Sequence, residues 1–172
     1  GPVRILVLGA AAGGGFPQWN AASPACRRAR AGDPAAPPAT QASIAVSADG
    51  ERWLLVNASP DLRWQIERTA PLQPRAAPRS TPIAAVVLTN ADVDAIAGLL
   101  SLREGTAFAL YAHPTVLAIL DRNPIFEVVR RDLVPRRGLA LDAPLALRDA
   151  AGTPLGLTLL PFAAPGKAPL YL

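Results

Sequence analysis

Two carboxylates and an amide crowd one short stretch, Asn90-Ala91-Asp92-Val93-Asp94, directly after the apolar run Ile83–Leu88 and directly before a segment with helical spacing. A junction from a buried strand into a helix is where α/β proteins place their sites. The side-chain oxygens of Asn90, Asp92 and Asp94 are hard donors of the kind that suit Mg, Mn or Fe(II). The same residues also have a purely structural reading. Carboxylates near a helix N-terminus gain from the helix dipole and from free N–H groups. The spacing leaves both readings open.

Three further groups of residues carry possible chemistry. Gly9–Gly15, GAAAGGG, could turn successive N–H groups toward an anion. It lacks the lysine and spacing of a phosphate loop, and Pro17 opposes a helix straight after it. It reads equally as a tight turn against which another loop packs. Asn57-Ala58-Ser59-Pro60-Asp61 is a second strand end before a helix, with Ser59 placed to cap and Pro60 at the first helical position. A nucleophilic Ser59 would need a base. The chain's one histidine, His113, lies elsewhere, before Pro114, and reads as a loop or capping residue. The one cysteine, Cys26, sits beside Arg27 and Arg28 and reads either as a thiol of lowered pKa or as an inert residue. One Cys and one His exclude an intrachain disulfide and a four-ligand Cys/His zinc site.

Composition narrows the class. The 172 residues suffice for one domain with a core, and 19 Pro and 13 Gly favour loops over long helices. The formal charge of +4 comes from scattered arginines with no interleaved aromatics, a solvated surface rather than a nucleic-acid face. No apolar run approaches the roughly 18–20 residues of a membrane span, and no signal peptide is evident, so the cytoplasm is the expected compartment.

The elements that must position these residues follow from periodicity. Val3–Leu8 reads as a buried strand, and residues 20–40 as irregular. Ser43–Ser47 and Trp53–Asn57 form a hairpin around Asp49-Gly50. Asp61–Arg68 is helical, and residues 70–82, with four prolines, are a loop. Ile83–Leu88 is the clearest buried strand, followed by a helix over Asp92–Leu102. Phe108–Ala112 is a strand, Pro114–Leu120 and Asn123–Val134 are helices, and Leu139–Leu141, Leu145–Leu147 and Leu157–Leu160 are late strands. Hairpins first and strand–helix units afterwards predict an α/β (α+β) fold with a mixed sheet and flanking helices, in one domain. The apolar end, Pro169-Leu170-Tyr171-Leu172, implies that something follows or covers it.

At this point the sequence resembles the pyrroloquinoline quinone (PQQ) biosynthesis protein B family, a branch of the metallo-β-lactamase superfamily. The resemblance rests on Leu8–Asn20 (LGAAAGGGFPQWN), Thr40–Ser47, Asn57–Asp61 (NASPD), Leu88–Gly105 and Pro165–Leu170. It implies half of an αββα sandwich, since family members are about twice this length. It implies a role in PQQ biosynthesis, either iron-dependent tyrosine hydroxylation of a Glu-Tyr-derived precursor or carriage of PQQ or that precursor. It implies Fe(II) or Zn as cofactor.

The departures from the family pattern fall on the metal positions. A family C-x-C-x-x-C cluster that binds structural zinc corresponds to Ala21, Ser23 and Cys26, leaving Cys26 as a vestigial zinc position. The superfamily's H-x-H-x-D-H motif corresponds to Asn90, Asp92, Asp94 and Ala95, with the last ligand replaced by alanine. The expectation is a homologue or fragment whose catalysis is impaired. The alternatives are a non-catalytic module that holds PQQ or a peptide-derived precursor and dimerises, and a half completed by a second chain.

Overall fold

Strands buried on both faces need cover on both sides of the sheet. In the computed structural model, which describes residues 1–166, β4 (Ile83–Leu88) is buried at every position but Ala84, and β5 (Ala109–Ala112) is buried throughout. They lie at the centre of a six-stranded sheet. Its other strands are β1 (Arg4–Gly9), β2 (Ser43–Ser47), β3 (Trp53–Val56) and β6 (Arg136–Gly138), in the order β1-β2-β3-β4-β5-β6. The first two pairings are antiparallel and the remaining three parallel. The mixed α/β sheet predicted from the order of elements is what forms.

Alternation divides the core. Leu55, Val86, Leu88 and Leu110 face one side and pack with Leu62, Ile96, Leu99, Val116 and Leu120. These come from α2 (Leu62–Glu67), α3 (Val93–Ile96), the 3₁₀ turns Ala97–Leu102 and α4 (Pro114–Asp121). Leu54, Ala85, Val87 and Tyr111 face the other side and pack with Leu147 and Leu155 of a separate hairpin, β7 (Leu145–Arg148) and β8 (Pro154–Leu159). The Tyr111 hydroxyl ties the layers together: it donates to the Arg148 carbonyl and accepts from the Arg148 N–H, both at 3.0 Å. Each large side chain buried this way contributes roughly 1.5–3 kcal/mol. Among the described residues no helix is long and apolar enough to cross a membrane.

Several expectations need correction. Val3–Leu8 is a strand but not a buried one: Ile5 and Val7 are 61% and 69% exposed. β1 is the sheet edge, and the β7–β8 hairpin covers the face near β4 and β5 instead. Residues 20–40 are not wholly irregular, because Ser23 caps α1 (Pro24–Arg30) by accepting from the Cys26 N–H. Ser59 does not cap α2. Asp61 holds that position without a side-chain cap, while Ser59 Oγ accepts from the Asp61 N–H. The helix expected over Asp92–Leu102 tightens after Ile96, since the Gly98 N–H is diverted from the helix to the Ala58 carbonyl at 2.9 Å. The helix expected over Asn123–Val134 is only the 3₁₀ turn Pro124–Val128, ended by Val129 in an extended conformation. The late strand lies at Arg136–Gly138 rather than Leu139–Leu141. There Arg137 stacks on the Tyr111 ring at 5.6 Å and Arg136 reaches Asp121. The apolar run Pro169–Leu172 lies outside the described residues.

The β2–β3 turn forms around Asp49-Gly50 as expected, with Gly50 in the left-handed region at φ 76°. Burial pushes the Asp49 carboxyl up, but the Arg52 and Glu51 N–H groups, the Arg52 guanidinium and the Ser47 hydroxyl outweigh it and hold it well below the usual carboxylate range. A carboxyl depressed in the folded state adds stability above its unfolded pKa of about 3.9, and that stability is lost as pH falls through the folded value. Asp49→Asn will therefore lower Tm at pH 7, and the gap to the parent will narrow at pH values below about 4. Calorimetry across that range checks it, and a gap independent of pH refutes it.

Candidate functional site

The parallel strands β3, β4 and β5 all end on one edge of the sheet, and three polar segments follow them: Asn57–Asp61, Thr89–Asp94 and His113. Asn57 adopts φ 63°, a left-handed conformation uncommon outside glycine, and Asn tolerates it better than most residues. Its amide locks onto the next strand end. Nδ2 donates to Thr89 Oγ1 at 2.8 Å, and Oδ1 accepts from the Thr89 N–H at 2.9 Å. The backbone completes the junction, with the Ala58 N–H donating to the Ala95 carbonyl at 2.7 Å.

The sequence-selected residues fall on this rim with unequal freedom. Asn90 is exposed, but its Oδ1 already accepts from the Asp92 N–H at 2.9 Å. Asp92 is the N-cap residue of α3, yet its carboxylate makes no capping bond, so of the structural reading only the helix dipole applies to that side chain. Asp94 is exposed in the first turn. Its carboxylate lies so close to Gly13 that a Cβ there would meet Oδ2 at 2.6 Å. The glycine loop is thus a tight turn against which the first turn of α3 packs its carboxylate. Ala95 is buried in the core, where its methyl offers no donor. His113 caps α4: its Nδ1 accepts from the Thr115 N–H at 3.2 Å, which leaves Nε2 unused by that bond. Cys26 is buried on α1, away from these strand ends in the chain, and its thiol is drawn down by the Ser23 hydroxyl and the Gln18 backbone, with Arg30 adding to the effect. Among the described residues no group of three or more His, Cys, Asp or Glu side chains is placed to share a metal ion.

Beneath the rim lies a polar belt that sequence reasoning missed. Gln65, 2% exposed, donates from Nε2 to the Gln41 carbonyl and to Thr40 Oγ1, and its Oε1 accepts from Ser59 Oγ at 3.0 Å. Gln41 donates its N–H and side-chain amide to Asp61 and accepts the Gly14 N–H. Thr40 Oγ1 donates to the Leu8 carbonyl. The belt ties the glycine loop, the segment before β2 and the loop after β3 into one unit. Buried polar groups persist only when paired in this way. One signal was available: Gln65 stands three residues after Leu62, on the buried face of α2, where an apolar residue was due. Beside the rim opens a cavity of about 450 Å³. Leu139, Leu141, Leu160 and Phe162 form its apolar wall, and Asn90 and His113 form its polar margin.

Residues 52–171 match the family model described as β-lactamase superfamily domain, and the chain belongs to that family. Within it, the chain is a homologue of coenzyme PQQ synthesis protein B over nearly its whole length. The protein of that name from Gluconacetobacter diazotrophicus is 64% identical over 98% of this chain and 55% of its own length. The one from Rhodopseudomonas palustris strain TIE-1 is 55% identical over 99% of this chain and 55% of its own. The chain therefore spans about half the length of the curated relatives it matches. The crystal structure of Zn²⁺-bound PqqB from Methylobacterium extorquens superposes with a TM-score of 0.90 at 50% identity, over 98% of this chain and 54% of that one. A diphosphatase of the PhnP family, 22% identical with a TM-score of 0.64 over 84% of this chain and 53% of its own, shares the fold.

The junction leaves no room for a side chain at residue 98, since a Cβ there would lie 2.2 Å from the Ser59 carbonyl oxygen. Gly98→Ala must push the β3–α2 loop off the β4–α3 junction. Overpacking of this kind costs about 1–3 kcal/mol. Urea unfolding should show that loss, together with faster exchange of the Ala58 amide. A variant as stable as the parent refutes the close approach.

Proposed function

We propose that this chain is a single partial metallo-β-lactamase-type domain, residues 1–172, that serves PQQ biosynthesis in the cytoplasm. By itself it does not perform the iron-dependent hydroxylation of a Glu-Tyr-derived precursor that the resemblance implies. The PQQ role is supported by the name its homologues share. The limit on chemistry is carried by one observation: of the four motif positions, only Asp92 and Asp94 supply a carboxylate. Asn90 Oδ1 is already engaged and Ala95 has no donor. A hard divalent ion takes about six ligands, and two carboxylates with water hold it weakly. Zinc, named for the M. extorquens relative, prefers four ligands from nitrogen, sulfur and oxygen, and the described residues do not assemble them. A complete site takes its remaining donors from a second segment, whether in the same protein or in a partner chain.

A second reading, a module that holds PQQ or its precursor, is favoured by the cavity beside Asn90 and His113. It has an apolar wall for a planar ligand, and His113 and Asn90 lie on its polar margin. The exposed Ile5 and Val7 give such a module a face for a second copy or a partner.

Anaerobic loading with Fe(II), followed by desalting and elemental analysis, tests the first reading. The isolated chain should retain substoichiometric iron, and Asp92→Asn with Asp94→Asn should abolish what weak uptake there is. Stoichiometric, tightly held iron in the isolated chain overturns it. Equilibrium dialysis against PQQ tests the second reading, which requires saturable binding that His113→Ala weakens.

A further inference from the structure

The segment from Gln18 to Cys26 is where the family resemblance implies a structural zinc, and the residues present do not fit one. Ala21 carries no donor. The Ser23 hydroxyl is spent capping α1, where it accepts the Cys26 N–H at 3.3 Å. Cys26 is the only sulfur in the chain, and one thiolate is no zinc site. The loop is nonetheless sharply shaped, with a turn closed by the Ala21 N–H on the Gln18 carbonyl at 3.1 Å.

What shapes it is a side chain from the far end of α1. Arg30 folds back over the loop. Its Nη1 donates to the Ala21 carbonyl at 2.5 Å, and its Nη2 donates to the Gln18 carbonyl at 2.6 Å and reaches the Trp19 carbonyl at 3.4 Å. Three carbonyl oxygens thus converge on one cationic group. Guanidinium suits this geometry because its donors are fixed in a plane and its charge is permanent. The position near Cys26 agrees, since the Arg30 charge is one of the influences drawing that thiol down.

We propose that Arg30 is a clamp that replaces a structural metal in this chain, crosslinking Gln18, Trp19 and Ala21 through their carbonyls so that the loop holds its shape without zinc. The loop carries Trp19, 84% exposed, and the side chain of Gln18 packs against Gly14 of the glycine turn. Gly14 in turn is bonded to Gln41, which holds Asp61. Arg30 is therefore a positioning residue, setting how this loop meets the glycine turn and the rim beyond it. This inference is independent of the functional reading above, because it concerns the order of a loop and not turnover.

Hydrogen exchange of the intact chain, read amide by amide over residues 16–23, tests it. Arg30→Ala should speed exchange at the Ala21 amide by roughly tenfold or more while the amides of β4 stay protected. Arg30→Lys should give an intermediate effect, because one ammonium group cannot span three carbonyls. Treatment of the parent with a chelator should change nothing, and chain purified from zinc-supplemented medium should hold no stoichiometric zinc. Parent-like protection in Arg30→Ala overturns the proposal. So does loop loosening by chelator alone, or one tightly bound zinc per parent chain. If Arg30→Ala fails to fold, Arg30→Lys decides: selective loosening of residues 18–21 supports the clamp, and parent-like protection there overturns it.

Discussion

The structure turns on two backbone hydrogen bonds at Ala58. Its N–H donates to the Ala95 carbonyl and its carbonyl accepts the Gly98 N–H, so the loop leaving β3 is paired with the helical segment leaving β4. Everything on the rim hangs from that pairing. It requires glycine at 98, because any side chain there would enter the Ser59 carbonyl. It costs α3 its regular continuation, because the Gly98 N–H is no longer available to the helix. It also sets Asn57 against Thr89, which carries Asn57 into the left-handed region and holds it there with side-chain bonds at both ends of the amide. Local strain of this kind persists only when the surroundings over-determine it. Here the surroundings are two strands in parallel register and a fully buried Ser59.

Much of the fold was legible in the sequence because it follows from alternation. Ile83–Leu88 could only be a strand covered on both sides, and the Asp49-Gly50 turn dictated the hairpin before it. Two of the misreadings share a cause: a local pattern was overruled by a partner distant in the chain. Val3–Leu8 has the composition of a buried strand, yet it lies at an edge that the hairpin β7–β8 does not reach. Arg136–Gly138 has the composition of surface loop, yet Tyr111 and Asp121 draw it into the sheet. Ser59 stands where a helix cap belongs, but the helix starts later, at Leu62: its hydroxyl accepts the Asp61 N–H and donates to Gln65.

The candidate site was legible to a different degree. Residue types and spacing found the strand ends and the resemblance named the lineage, but neither revealed the support beneath. Thr40, Gln41 and Gln65 are separated by up to 25 positions and meet only once β2, β3 and α2 have packed. A polar residue, Gln65, on an apolar face was the sole hint, and such residues have many explanations until their partners are seen. Arg30 was hidden for a related reason. In sequence it is one arginine among several in an Ala- and Arg-rich stretch, and its function depends on three carbonyls, which have no side-chain identity to read.

These two layers respond differently to substitution, and that bears on what similarity to known proteins can mean here. Exchanging a buried, bonded group such as Gln65 or Ser59 leaves a polar partner stranded and costs about 1–3 kcal/mol, a large share of a domain's stability. Exchanging an exposed rim group such as Asp94 usually costs less than about 0.5 kcal/mol. A chain can therefore keep the scaffold of its relatives while losing donors from the rim, because folding penalises the first change and is nearly blind to the second. Agreement at 64% identity with a PQQ synthesis protein B is thus strong testimony about the fold. It is weaker testimony about chemistry, which depends on a few exposed oxygens. The alanine at 95 shows the asymmetry directly: buried and well packed, it serves the core while offering a metal nothing.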